Sequence, residues 1–246
     1  MNAPLIMRPS DAADLLDRPV WSTLATFHRR FALGDGQAKR MLSDIGPFAA
    51  ACDNGRAGLF ALERLLHGCA DGMVLMQVGE LLLPISARVD AAAEGVQMLA
   101  EHPIARPLAT GILRLGEADV PEMRALARLA KPGPFHARTH RLGAFWGVRH
   151  AGRLIAMAGE RMRQPGFTEI SAVSVHPDHR GQGHGGRLVS WLAADIAAMG
   201  DTPYLHVFAD NTNAIRLYER LGFRARRAVN IAWLKPGIGP RIAPAS

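Results

Sequence analysis

Val173-Ser174-Val175-His176-Pro177-Asp178-His179-Arg180-Gly181-Gln182-Gly183-His184-Gly185-Gly186 is the stretch that decides how this sequence is read. An apolar strand runs through a Pro-marked turn into a glycine-rich loop. Leu188, Leu192 and Ile196 then recur at helical spacing, predicting a helix over 187–199. A helix that starts at this loop leaves its first N–H groups without carbonyl partners and places partial positive charge there. A diphosphate at that point accepts those donors. Glycine at 181, 183, 185 and 186 lets the backbone close on phosphate oxygens, and Arg180 at the rim adds a charge-assisted bond. The structurally innocent reading of the same glycines is a tight strand-to-helix turn.

Two other nucleotide loops fail. A phosphate-binding loop of the Walker type needs Gly-Lys-Ser/Thr at its end, and this one ends Gly185-Gly186-Arg187-Leu188. A dinucleotide fingerprint follows the first strand of a parallel βαβ unit, whereas this loop follows an antiparallel meander. The meander is predicted from strand patterns over 143–148, 153–161 and 168–175. Tight turns at His150-Ala151-Gly152 and Gln164-Pro165-Gly166 separate them. A strand over 112–115 and a helix over 117–131, closed by Pro132-Gly133-Pro134, precede the meander. A strand over 204–208, a helix over 213–220 closed by Gly222, and a strand over 228–234 follow the loop. The order β-α-β-β-β-loop-α-β-α-β predicts an α/β (α+β) fold, a mixed, mostly antiparallel sheet flanked by helices.

The run Val173-x-Val175-x-Pro177-x-x-Arg180-Gly181-x-Gly183-x-Gly185 resembles the acetyl-CoA signature of the GNAT superfamily of N-acetyltransferases. Asn211-x-x-Ala214-x-x-Leu217-Tyr218-x-x-x-Gly222-Phe223 resembles that superfamily's second signature. The resemblance covers roughly residues 110–236. It implies a GNAT-like acyltransferase fold and acetyl-CoA as co-substrate, with direct transfer of the acetyl group to a primary amine. It implies that Val173, Ser174 and Val175 pair with the pantetheine arm as a further strand would, next to a splayed neighbour. Gln182, Gly183, His184, Gly185 and Gly186 then supply N–H groups to the pyrophosphate, beside Gly181 and Arg180. Asn211, with Asn213 sharing the task, would hydrogen-bond the arm; helix capping is the other reading of both.

The resemblance also makes Tyr218 the acid that protonates the departing thiolate, its alternative being a half-buried aromatic on a helix–sheet seam. Glu169 is the first candidate for general base, with a pKa raised by burial, against an exposed strand-end charge. Glu160 is the second. His176 and His179 flank the loop as further candidates, with solvated loop histidines as the other reading. A different class of reading is a non-catalytic acyl-CoA-binding sensor.

The chain has 246 residues and a formal charge of +7, and its 48% apolar residues suit a globular protein. Its arginines are dispersed, and the densest run, Arg224, Arg226 and Arg227, is short, so nucleic acid is not an expected partner. No apolar run reaches membrane-spanning length and the start lacks a signal layout, which predicts a cytoplasmic protein without a membrane partner. A monomer or homodimer is expected. Cys52 and Cys69 read as free thiols, and no His/Cys spacing implies a metal.

Residues 1–105 fall outside the resemblance. They predict helical periodicity over 11–33, where Leu15, Leu16, Val20, Leu24 and Phe27 form a stripe, and again over 48–66. Strands follow over 72–78 and 80–83, with a weaker apolar stretch over 96–100. Pro103 and Pro107 mark a linker into a domain over 110–246. The first region reads as an α/β accessory half, either a degenerate acyltransferase-like unit without a glycine loop or a small helical domain. The acceptor is expected against the segment 130–142, within which Pro132-Gly133-Pro134-Phe135-His136-Ala137-Arg138 reads as a lid or as a plain connector.

Overall fold

The computed structural model describes residues 15–237. The strands are β1 (Ala32–Gly34), β2 (Ala38–Met41), β3 (Phe48–Ala51), β4 (Met73–Val78), β5 (Ala87–Leu99) and β6 (Ile112–Leu115). β7 (Phe145–His150), β8 (Arg153–Gln164), β9 (Phe167–Val175), β10 (Thr202–Phe208) and β11 (Arg224–Pro236) complete the set. All of them join one sheet in the order β1-β2-β3-β4-β11-β5-β10-β9-β8-β7-β6. Only β3–β4 and β9–β10 are parallel. Helices α1 (Pro19–Ala25), α2 (Arg56–His67), α3 (Val120–Ala130), α4 (His184–Ala198) and α5 (Thr212–Arg220) flank the sheet. The mixed, mostly antiparallel sheet is the predicted one.

The meander forms as its turns dictate. Ala151 and Gly152 both take positive φ (47° and 79°), the geometry that matches a two-residue hairpin to strand twist. Pro165 followed by Gly166 at φ 78° turns β8 into β9. α4 buries Leu188, Leu192 and Ile196 against the sheet, in a core shared with Ile170, Leu205 and Phe223. α3 buries Met123, Leu126 and Ala127 on the opposite side with Phe145 and Met157.

The N-terminal region departs from its sequence reading. Residues 48–66 are not one helix: Phe48–Ala51 is a buried strand, and the helix begins at Arg56. Residues 80–83 form no strand, and 96–99 are the end of the thirteen-residue β5, with Ala100 just past it. The helix predicted over 11–33 is cut short, its first residues lying outside the described ones. Pro19 starts α1 at a position where a missing N–H costs nothing, and the chain turns at Thr26. Leu16, Val20 and Leu24 are buried as the stripe requires, but Phe27 is 49% exposed under the Arg163 guanidinium, and His28 turns inward instead.

The two regions exchange strands. Each contains a parallel strand–helix–strand unit, β3–α2–β4 and β9–α4–β10, with a long strand following. Yet β5 pairs with β10, and β11 pairs with β4, so each half-sheet is completed by the other's last strand. β5 and β11 lie side by side from Leu99↔Arg224 to Ala87↔Pro236. Separating the regions therefore requires breaking the sheet at its centre. Residues 100–111, which join the two regions, carry neither helix nor strand.

Candidate active site

The site is built where β9 and β10 part. Their parallel ladder has only three rungs, ending at Tyr204↔Glu169. Beyond it β9 is bent by a bulge: its register against β8 slips between Met157 and Gly159, and Ala172 sits at φ 55°. A non-glycine residue in that region costs about 1–2 kcal/mol, so the surrounding pairing enforces the bend. The backbone of Leu205–Phe208 is left facing Ile170–Val175 without a ladder between them. This is the splay that the resemblance implies.

A cleft of about 150 Å³ occupies the splay, walled by Ser171, Ala172, Val173, His206, Asn211 and Tyr218, with Trp233 across from them. The wall runs from Ile170 to Val173; Ser174 and Val175 continue toward the loop. The Ser174 hydroxyl is spent inside, donating to the Ala172 carbonyl at 3.0 Å, so only its backbone is free for a ligand.

At the loop, Gly181 and Gly183 take φ 76° and 79°, and a Cβ at either would meet nothing within 4 Å. Conformation, not crowding, requires glycine there, and the space above the loop is open. Arg187 N–H is the first in the helix to reach a carbonyl, that of Gly183, at 3.0 Å. By helix geometry the N–H groups of His184, Gly185 and Gly186 precede any partner. A diphosphate fits this arrangement, with the exposed Arg180 and Gln182 beside it. Gly185 packs on Val175 and Val173. Gly186 is buried with Leu217 Cδ1 3.3 Å from where its Cβ would lie, so it also sets the approach of α5 to α4. His184 donates to Gln182 Oε1 (3.3 Å), and its pKa is lowered by burial and by Arg187, His179 and His150 nearby. The His179 ring packs beside those of His150, His176 and His184.

Asn211 caps α5, its Oδ1 accepting from Ala214 N–H at 3.2 Å, and it lines the cleft as well, its Nδ2 amide making no hydrogen bond among the described residues. Asn213 lies exposed in the first turn of α5, outside the cleft wall. Tyr218 is 9% exposed, and burial pushes its phenol up to about 12. Its ring meets Phe223 edge-on at 6.2 Å, and its hydroxyl, with no protein partner among the described residues, belongs to the cleft.

Glu169 requires a correction. Burial alone would raise its carboxyl, but Arg161 beside it, the two hydrogen bonds from that guanidinium (2.8 and 2.5 Å) and His206 Nδ1–H (2.7 Å) hold it at about 2. Its side chain is 0% exposed. A sealed, ion-paired carboxylate is a poor proton acceptor; Glu169 positions Arg161 and His206, which do line the cleft. His206 Nε2 in turn faces the Gln97 amide at 3.1 Å, so both ring nitrogens are engaged. Glu160 keeps the raised pKa, from burial, while accepting from Ala144 N–H at 3.1 Å, but it does not line the cleft. Arg161, His206, Lys131 and Trp233 escaped the sequence reading. Arg161 could have been found, since it faces Glu169 across the hairpin whose turn is marked by Pro165-Gly166.

The chain is similar over nearly its whole length to a solved structure from Novosphingobium aromaticivorans assigned to the GNAT family. The two are 44% identical with a TM-score of 0.85, over 90% of this chain and 98% of that one. The chain belongs to the GNAT superfamily of acetyltransferases. Within this GNAT chain, residues 145–234 match the family described as FR47-like protein. A GCN5-related N-acetyltransferase from Kribbella flavida shares the fold at 18% identity and TM-score 0.61, over 93% of this chain and 98% of that one. Mycothiol acetyltransferase of Mycobacterium avium is 40% identical over 83 residues, 29% of this chain and 26% of that relative. The chain thus matches about a quarter of the length of the curated relatives.

The GNAT splay has a counterpart in the N-terminal region that is closed. Past the last β3–β4 rung, Ala49↔Leu75, only about 10 Å³ remains, because Gln77, Leu81 and Leu82 fill the gap. Arg18 ties Gln77 to Asn54 across it (3.2 and 2.6 Å). At the start of α2 the Asp53 carboxylate already accepts from Gly55 N–H at 2.7 Å, where a phosphate would be repelled. Among the described residues no His/Cys/Asp/Glu group is placed to hold a metal, and no helix is long and apolar enough to cross a membrane.

Proposed function

We propose that this chain is an N-acetyltransferase that moves an acetyl group from acetyl-CoA to a primary amine by direct attack. One observation carries the reading: the splay past Tyr204↔Glu169 leads from the open glycine loop to the Tyr218 hydroxyl. The pantetheine arm lies in the splay as an added strand, against Val173 and Asn211, and the pyrophosphate takes the amides from Gly181 to Gly186. The amine nitrogen attacks the thioester carbonyl carbon; the carbon–sulfur bond breaks, and the thiolate takes the Tyr218 proton. No carboxylate lines the cleft, so the proton released by the nitrogen passes to water. Proximity of the two substrates supplies most of the acceleration.

Residues 1–105 serve as an acyltransferase-like half that binds no cofactor, and the chain takes up one acetyl-CoA. Its free thiols, Cys52 and Cys69, suit a cytoplasmic enzyme. The test is thiol release from acetyl-CoA over a panel of primary amines. Coenzyme A binding with no release for any amine would favour the sensor reading instead.

A further inference from the structure

On the α3 side a cleft of about 490 Å³ is lined by Arg124, Arg128, Lys131, Pro134, Phe135 and Trp233. It shares Lys131, Pro134 and Trp233 with the cleft that holds Tyr218, so the two adjoin, and neither is lined by a carboxylate. Arg124, Arg128 and Lys131 follow at steps of four and three, on one exposed face of the helix and its end, while Met123 and Leu126 are buried on the other. None of the three has an ion pair among the described residues. Like charges at this spacing repel one another. The helix dipole offsets that repulsion for Arg128 and Lys131 in the last turn, but not for Arg124 in the middle. A neighbouring cleft of about 580 Å³ also opens at Pro134 and Trp233, but its charges are mixed, and its Asp90 is already bridged to Lys235 at 2.7 Å.

We propose that the acceptor amine carries an anionic group, a carboxylate or a phosphate, bound by Arg124, Arg128 and Lys131, with Trp233 and Phe135 flanking the rest of the molecule. This rests on the acetyltransferase reading above. Arginine and lysine donate several N–H groups to such an anion, and charge-assisted bonds of this kind change affinity by about tenfold or more.

The test uses matched amines with the full chain saturated in coenzyme A: phenylalanine against phenylalaninamide, and O-phosphoethanolamine against ethanolamine. Calorimetric titration reads binding and thiol release from acetyl-CoA reads turnover. The anionic member of at least one pair should bind and turn over about tenfold better, and which pair responds separates carboxylate from phosphate. The preference should shrink with added salt and vanish in the Arg124→Gln/Arg128→Gln double variant, with the KM for acetyl-CoA unchanged. Equal use of neutral and anionic members, binding of none of the four, or a preference that survives in the variant would overturn the proposal. Selective anion binding without thiol release would keep this site and count against the acetyltransferase reading.

Discussion

Glu169 and Tyr204 form the last rung of the parallel ladder between β9 and β10, and both are buried at that point. The rung closes the inner end of the cleft. At it Glu169 accepts from Arg161 of β8 and His206 of β10, which ties three strands together; beyond it β9 and β10 part and leave backbone groups without a ladder. Glu169 is thus the pin at the apex of the splay, and the chemistry proposed above lies further out, at Tyr218.

On the proposed mechanism Tyr218→Phe removes the proton offered to the leaving thiolate and little else, since the hydroxyl has no protein partner among the described residues. Turnover should fall by about tenfold to a thousandfold while coenzyme A affinity holds. Steady-state thiol release beside a binding titration checks this; unchanged turnover would remove Tyr218 from the mechanism.

The pH profile of kcat/KM should follow the deprotonation of the amine itself. Glu169 is held at about 2 and Tyr218 at about 12, so neither titrates between pH 5 and 10. A limb that rises with pH and shifts when an amine of different pKa is substituted is the expected result. A fixed inflection near pH 6 for every amine would point to a protein base.

Glu169→Gln leaves the Arg161 guanidinium buried without its counter-charge. Breaking a buried pair in this way costs about 3–5 kcal/mol, which a denaturant titration reads directly. Because the folded carboxyl lies below its unfolded value, the stabilisation is fully present above about pH 4.5 and is lost as pH falls toward 2. The variant should lack that acid limb.

His28 gives a second acid limb at higher pH. Burial is the largest cause of its lowered pKa, about 4, although Nε2–H donates to the Leu142 carbonyl at 2.9 Å. The unfolded chain binds a proton there below about 6.5 and the folded one only below about 4. Stability should therefore drop as pH falls through that interval, by on the order of 3 kcal/mol. His28→Gln should flatten the slope of unfolding free energy between pH 6.5 and 4.

The C-terminal region was legible because its signals are local: turn residues at 151–152 and 165–166, the stripe of α4, and two signatures in order. The N-terminal region was not. Phe48-Ala49-Ala50-Ala51 carries the best helix former three times in a row, and its strand identity comes from burial between β2 and β4. The exchange of β5 and β11 joins segments more than a hundred residues apart, which no local pattern records. The strand pattern left Glu169 open between a buried carboxylate and an exposed strand-end charge; it is buried, and its ionisation depends on Arg161 and His206, which come from two other strands.

The proposed function requires one ligand gripped by the amides from Gly181 to Gly186, in a chain whose other strand–helix–strand unit is lined by Leu81, Leu82 and Asp53. The most direct measurement is a calorimetric titration of the full chain with acetyl-CoA, repeated on Gly183→Val with its folding checked by circular dichroism. The prediction is one site per chain, abolished in the variant, since a β-branched residue at φ 79° distorts the loop and places a side chain over it. No heat from the wild-type chain, two sites per chain, or unaltered binding by the folded variant would contradict it.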